Sequence, residues 1–234
     1  MATTPSAVSI PTALGEMPAR LWQPPAGRGP GIVLFQEIFG IIPSIERRAA
    51  DLAAAGYVVL APEFYWRLGE SGVANGPDML AQGLDLMQRL DWDAAVRDGL
   101  AAHAWLRTRP EVSARTGYVG FCFGGGLAFA VAAQADPKPD ALVSYYGSAL
   151  PNLLDLAPEV TMPSLHHFGD QDSYIDRETV ERIRAAVAGP QLEFYTYPEA
   201  DHAFDNSDFP AYHPEASTIA WGLTRKFLAT HLPA

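Results

Sequence analysis

The only cysteine of this 234-residue chain lies between two glycines, in the stretch Gly120-Phe-Cys122-Phe-Gly124. An apolar run over 116–121 precedes it and an alanine-rich segment over 125–135 follows it, which predicts a sharp turn from a strand into a helix. The flanking glycines leave room where side chains would collide with that strand and helix. The amides at the start of the helix would favour a thiolate. We therefore interpret Cys122 as a nucleophile, although a lone cysteine is more often an inert buried residue.

A carboxylate and a histidine follow Cys122 in the order that is typical of α/β-hydrolases. An apolar run over 163–168 leads into Gly-x-x-Asp172, and His202 lies in a loop after the last predicted strand. His202 is the predicted general base, and Asp172 is preferred to Asp170 as the carboxylate that orients it. Either aspartate could instead be a turn residue that binds its own backbone.

The other histidines do not predict a metal centre. Only His166 and His167 are close in sequence, and adjacent residues of a strand point to opposite faces of the sheet. A metal would need ligands at short spacing together with carboxylates or thiolates. We therefore predict neither a metal nor another cofactor.

A second informative stretch, Gln-Glu37-Ile38-Phe-Gly, follows the apolar run 31–35. In α/β-hydrolases this loop supplies one oxyanion amide, here that of Ile38, and the residue after the nucleophile supplies the other, here Phe123. Glu37 would then lie beside the nucleophile. It could be a solvated turn residue, but its position after an apolar run favours a buried and paired carboxylate.

The candidate site residues described so far can come together only if the strands that precede them end at the same edge of one sheet. Strand-length apolar runs alternate with segments of helical period along the chain, which predicts an α/β fold with a mostly parallel sheet and helices on both faces. The predicted strands are 31–35, 57–61, 116–121, 141–145, 163–168 and 192–196, and the predicted helices include 44–55, 91–109, 125–135 and 215–232. Residues 63–90 show little periodicity. We predict a long loop there with at most one short helix, placed as a lid or pocket wall.

Composition restricts the partners and the setting. The chain is 48% hydrophobic and 18% charged, with a net charge of −11, which favours a globular domain (1–234) and disfavours nucleic acid and anionic membranes as partners. No run of about 18 apolar residues suggests a membrane helix, and no secretory signal is evident. One cysteine excludes an internal disulfide. We expect a cytoplasmic protein that is a monomer or a weak homo-oligomer.

The chain resembles the dienelactone hydrolase (carboxymethylenebutenolidase) family from about residue 10 to residue 230. The stretches that carry the resemblance are Gln36-Glu37-Ile38-Phe39-Gly40, Gly120-Phe-Cys122-Phe-Gly124-Gly125, Tyr145-Tyr146-Gly147, Gly169-x-x-Asp172 and His202-x-Phe204. The resemblance implies an α/β-hydrolase fold and an enzyme that cleaves small esters or lactones.

The resemblance also implies roles for single residues. Cys122, His202 and Asp172 would form a triad that works through a thioester acyl-enzyme. Glu37 would take the thiol proton when substrate arrives. Tyr145 would line the substrate pocket, and so would Phe39 in the loop of Glu37.

The chain departs from the family at the groups that hold the substrate. Well-studied members bind an anionic substrate with arginines, one of them four residues after the catalytic histidine, where this chain has Asn206. For a second arginine, the segment 63–90 offers only Arg67 and Arg89, and Arg67 is the predicted pocket residue. Without a bidentate arginine, discrimination for a carboxylate is lost. A neutral ester or lactone is therefore as plausible a substrate as a dienelactone.

Two alternatives belong to other functional classes. The chain could be a non-catalytic protein that uses the pocket to bind a ligand, but such a protein has no need of nucleophile, acid, histidine and glutamate together. Cys122 could be a redox-sensing thiol, but the chain has no second cysteine to resolve a sulfenic acid.

Overall fold

A computed structural model describes residues 4–234, and its centre is one eight-stranded sheet with the order β1-β2-β4-β3-β5-β6-β7-β8. The strands are β1 Ser6–Thr12, β2 Gly15–Trp22, β3 Gly29–Phe35, β4 Val58–Pro62, β5 Val112–Phe121, β6 Ala141–Tyr145, β7 Ser164–Gly169 and β8 Leu192–Tyr197. The helices are α1 Pro43–Ala54, α2 Met79–Arg89, α3 Trp92–Arg107, α4 Phe123–Gln134, α5 Arg177–Ala186 and α6 Pro214–His231.

The strands from β4 to β8 in this order are parallel, whereas β1 and β2 form an antiparallel hairpin at one edge of the sheet. The six predicted strands are therefore present, and the predicted fold class is confirmed. The sequence analysis did not anticipate the hairpin. Its strands alternate between buried and exposed positions and include Pro11 and Pro18, which weaken a strand signal.

The segment 63–90 is more regular than predicted. It contains the 11-residue helix α2 and a short 3₁₀ turn at Trp66–Leu68. The helix buries Met79, Gly83 and Leu86. Gly83 lies on the buried side of this helix, so it interrupts the apolar periodicity that would predict a helix. Because Gly83 has no side chain, the helix packs directly on the loop that carries Phe39: a Cβ atom at Gly83 would be 2.9 Å from the Phe39 ring.

The centre of the core is α4, which is buried along its whole length except at Gln134. A helix that is apolar on every side must be covered by protein on every side. The helix α4 packs against the strands β5 and β6 and against the helix α3. The turn that enters α4 is consequently held on all sides. No helix of the described residues is long and apolar enough to cross a membrane.

Candidate active site

Cys122 occupies a strained turn between β5 and α4. Its backbone has φ 53° and ψ −118°, a conformation that residues other than glycine rarely adopt. A Cβ atom on Gly120 would lie 2.2 Å from the carbonyl oxygen of Gly124, and one on Gly124 would lie 2.3 Å from the carbonyl oxygen of Gln36. Both glycines are therefore required by direct backbone contacts, as the sequence predicted.

The thiol, the histidine and an aspartate form one line of contacts. Cys122 Sγ is 3.1 Å from His202 Nε2, and His202 Nδ1 is 2.8 Å from Asp172 Oδ2. The other oxygen of Asp172 accepts hydrogen bonds from the amides of Tyr174 and Ile175, at 2.8 and 2.9 Å. His202 thus pairs with Asp172, the preferred candidate, and its Nε2 faces the sulfur.

Two loops must meet for this line to form. One follows β7 and carries Asp172, and the other follows β8 and carries His202. Asp201 ties them together, because one of its oxygens accepts hydrogen bonds from the amides of Ser173 and His202, at 2.7 and 2.6 Å. The second loop is also held to α1 by Asp205, which pairs with the guanidinium of Arg48 at 2.8 Å. His202 is therefore fixed from two sides.

The surroundings of His202 favour its charged form. Burial by itself lowers the pKa of this imidazole, but the neighbouring Cys122 sulfur and Asp172 outweigh burial and raise the pKa well above its usual value. His202 lies between the Cys122 sulfur and Asp172, and all three residues are buried. The charged imidazolium is the form of His202 that these contacts support.

Glu37 lies at the end of β3, fully buried, and is bound by neutral partners. The hydroxyl of Tyr146 donates to Oε1 at 3.1 Å, and the amide of Asn206 donates to Oε2. Burial raises the pKa of Glu37 to about 7, and the hydrogen bond from Tyr146, the charge of His202 and the hydrogen bond from Asn206 offset only part of that effect. The side chain of Asn206 is therefore a hydrogen-bond partner of Glu37.

Of the two residues whose amides are predicted to bind an oxyanion, Phe123 follows Cys122 directly and Ile38 lines the same pocket as Cys122. Phe123 is the first residue of α4, and Ile38 lies in the loop after β3, where its carbonyl accepts a hydrogen bond from the hydroxyl of Tyr65 at 2.9 Å. Within residues 4–234, neither amide donates to a protein acceptor. Neither amide is therefore occupied by a protein acceptor, and an unoccupied amide is one requirement of an oxyanion hole.

A pocket with about 500 Å³ of empty space, including its open mouth, leads to Cys122. Glu37, His202 and Ser148 supply its polar groups. Its remaining walls are mainly apolar: Ile38, Phe39, Leu80, Leu84, Met87, Tyr174, Ala203 and Phe209. No lysine or arginine lines it among the described residues. Such a pocket fits a neutral, largely apolar molecule.

Phe39 lines this pocket, but Tyr145, Arg67 and Asn206 do not. The hydroxyl of Tyr145 is 2.6 Å from Thr224 Oγ1, deep in the core, and Asn206 points at Glu37. The guanidinium of Arg67 binds Asp98 at 2.6 Å. Asp98 and the adjoining indole of Trp66 satisfy that cation away from the pocket.

Sequence reasoning missed Tyr146, Ser148 and the apolar face of α2. Tyr146 follows Tyr145 directly, and its φ of 35° turns the chain at the end of β6. That turn sends its hydroxyl to Glu37 while Tyr145 stays in the core. The Tyr-Tyr-Gly stretch located the right segment, but only the backbone conformation decides which tyrosine reaches the site.

A mostly parallel sheet, a cysteine at a strand-to-helix turn, and an aspartate and a histidine on later loops together are typical of the α/β-hydrolase class. Comparison with known proteins narrows the class. The model of the dienelactone hydrolase family matches residues 17–232, so the chain belongs to that family and is a hydrolase. This confirms the resemblance stated above.

Individual relatives agree with this assignment. The chain is 34% identical over 218 residues to carboxymethylenebutenolidase 1 of Cupriavidus pinatubonensis, with 92% of each protein covered. It is 33% identical over 214 residues to carboxymethylenebutenolidase of Pseudomonas putida, with 90% of each covered. A crystal structure from Klebsiella pneumoniae, provisionally assigned as a dienelactone hydrolase, superposes with a TM-score of 0.84 at 30% identity, covering 98% of this chain and 99% of the other.

The turn at Cys122 predicts a large cost for the smallest added side chain. Gly124→Ala would push a methyl group into the backbone carbonyls of Phe35 and Gln36, so we expect a loss of more than about 2 kcal/mol in the free energy of unfolding. Urea denaturation measures it. Gly222→Ala is the matched control, because nothing lies within 4 Å of that position in α6, and it should gain up to about 1 kcal/mol. Equal effects of the two variants would contradict this account of the turn.

Burial of Glu37 predicts a specific pH dependence of stability. Its pKa is about 7 in the folded protein against 4.5 ordinarily, so the folded state holds the proton more tightly. The resulting stability is fully present below pH 4.5 and is lost as the pH rises through about 7, by on the order of 3 kcal/mol. Glu37→Gln should remove this decline, as measured by urea denaturation between pH 4.5 and 8.

The control for Glu37 is Glu159→Gln, which changes an exposed carboxylate. Its stability should follow that of the unaltered protein across the same pH range. The explanation fails if Glu37→Gln and Glu159→Gln give parallel curves.

Proposed function

We propose that this chain is a cysteine-dependent hydrolase of small, uncharged esters or lactones. The observation that carries the proposal is the contact of Cys122 Sγ with His202 Nε2 at 3.1 Å, in a mainly apolar pocket that no lysine or arginine lines among the described residues. The relatives named carboxymethylenebutenolidase support the same reaction class.

Acylation begins with the proton of Cys122 on His202. The thiolate attacks the carbonyl carbon, a C–S bond forms, and the electrons of the C=O bond move onto the oxygen, which the amides of Ile38 and Phe123 bind. As the carbonyl re-forms, the bond to the alcohol oxygen breaks. His202 Nε2 gives its proton to that oxygen, and Asp172 stabilises the imidazolium until then.

Deacylation reverses these roles. His202 Nε2 accepts a proton from water as the water oxygen attacks the thioester carbon. The tetrahedral intermediate then expels the Cys122 sulfur as a thiolate and releases the acid. The imidazolium again faces the thiolate, so the cycle closes without a cofactor.

The contacts of Glu37 limit its part in this sequence. The sulfur of Cys122 contacts His202, while Tyr146 and Asn206 occupy the two oxygens of Glu37. These contacts favour His202 as the direct proton partner of the thiol. Glu37 lies on the wall of the same pocket, where its ionised form would repel an anionic substrate.

Loss of the nucleophile or the base should abolish hydrolysis of p-nitrophenyl acetate. We expect Cys122→Ala to reduce kcat/KM to the background rate, and His202→Ala to reduce it by about 10²–10⁴-fold. Mass spectrometry of the unaltered enzyme, quenched during turnover, should find an acetyl group on Cys122. The peptide that contains position 122 should carry no acetyl group in Cys122→Ala. Ester hydrolysis that survives in Cys122→Ala would contradict the proposal.

The absence of lysine and arginine from the pocket walls, among the described residues, predicts a preference between two closely matched substrates. The enzyme should hydrolyse the acetate ester of methyl 4-hydroxybenzoate at least about tenfold better, in kcat/KM, than the acetate ester of 4-hydroxybenzoic acid. Only the second carries a carboxylate, for which the pocket offers no arginine. Equal or reversed rates would show that the pocket accepts an anion, and a neutral substrate would be the wrong assignment.

A further inference from the structure

A second groove adjoins the pocket and has no role in the mechanism so far. It shares Met87, Ser148 and Tyr174 with the pocket, and it holds about 820 Å³ of empty space, including its opening. Ser148 Oγ is 3.7 Å from Cys122 Sγ. The thiol therefore lines the pocket beside Ser148, a residue that borders both cavities.

The walls that belong to the groove alone are mainly apolar, apart from the side-chain amide of Asn152. Trp92, at the start of α3, packs edge-on against the ring of Phe123 with 5.8 Å between ring centroids, and Leu90 and Ile175 extend the surface. Phe123 directly follows the nucleophile, so the groove begins beside the carbon that the thiolate would attack. An apolar chain attached to that carbon would bury its surface here.

The position of His202 gives the two cavities different roles. His202 lines the pocket and does not line the groove. The alcohol oxygen must lie near His202 Nε2 to receive its proton, so the alcohol part of an ester extends into the pocket. The acyl part, on the opposite side of the carbonyl carbon, then extends toward Phe123 and the groove.

We infer that the second groove, bounded by Leu90, Trp92, Phe123, Ala149 and Ile175, binds the apolar acyl chain of an open-chain ester. The inference rests on the proposed function and narrows it. A small lactone joins its acyl and alcohol parts in one ring, so it cannot place them in two cavities. Esters with an acyl chain of several carbons would use both.

Two blocking variants test this division. Ala149→Phe narrows the groove, and Leu84→Phe narrows the pocket. The substrates are p-nitrophenyl acetate and octanoate, which differ in the acyl part, and methyl and hexyl acetate, which differ in the alcohol part. We expect Ala149→Phe to lower the octanoate-to-acetate ratio of kcat/KM about tenfold and Leu84→Phe to lower the hexyl-to-methyl ratio similarly. Each variant should leave the other ratio within about twofold.

Controls separate local blocking from general damage. Ala81→Phe adds the same ring on the exposed side of α2 and should change neither ratio. Leu90→Trp narrows the groove from a different segment, so it gives the same readout if Ala149→Phe fails to fold. The inference is overturned if the groove variants lower the hexyl-to-methyl ratio or leave the octanoate-to-acetate ratio unchanged. Unaltered protein that hydrolyses an uncharged lactone but none of the four esters would overturn this inference alone, whereas protein that hydrolyses neither would overturn the proposed function as well.

Discussion

The backbone conformation of Cys122 is the constraint on which the rest of the site depends. A positive φ at a residue with a side chain is unfavourable, so the surrounding structure must enforce it. The fully buried α4 and the backbone contacts at Gly120 and Gly124 do so. The same turn directs the sulfur toward His202 and places the amide of Phe123 beside it. Strain at one residue thus positions both the proposed nucleophile and one candidate oxyanion donor.

The buried ionisable groups around this turn divide into two kinds. His202 lies between the Cys122 sulfur and Asp172, and these charges outweigh the cost of burying a cation. Glu37 has only hydroxyl and amide partners, so burial dominates and its pKa rises to about 7. An arginine in place of Asn206 would supply a cation to that carboxylate. With asparagine there, burial keeps the pKa of Glu37 at about 7, and no lysine or arginine lines the pocket among the described residues.

The walls of the cavities come from segments far apart in sequence. The helix α2 contributes Leu80, Leu84 and Met87, and the chain after β6 contributes Ser148, which borders both cavities. The half-exposed Tyr174 lines both cavities and packs edge-on against the ring of His202, with 5.0 Å between centroids. One aromatic side chain therefore both covers the histidine and contributes to the two cavities.

The sequence by itself determined the fold class, the turn at Cys122, and the order of Asp172 and His202, because these depend on local periodicity and on motifs of fixed spacing. It also located Glu37 and Phe39. Only the tertiary structure decided that Tyr146 rather than Tyr145 reaches Glu37, that Arg67 binds Asp98, and that Asn206 faces inward. Those outcomes depend on a left-handed residue after a strand and on pairing between distant segments, and neither leaves a periodic signal in the chain.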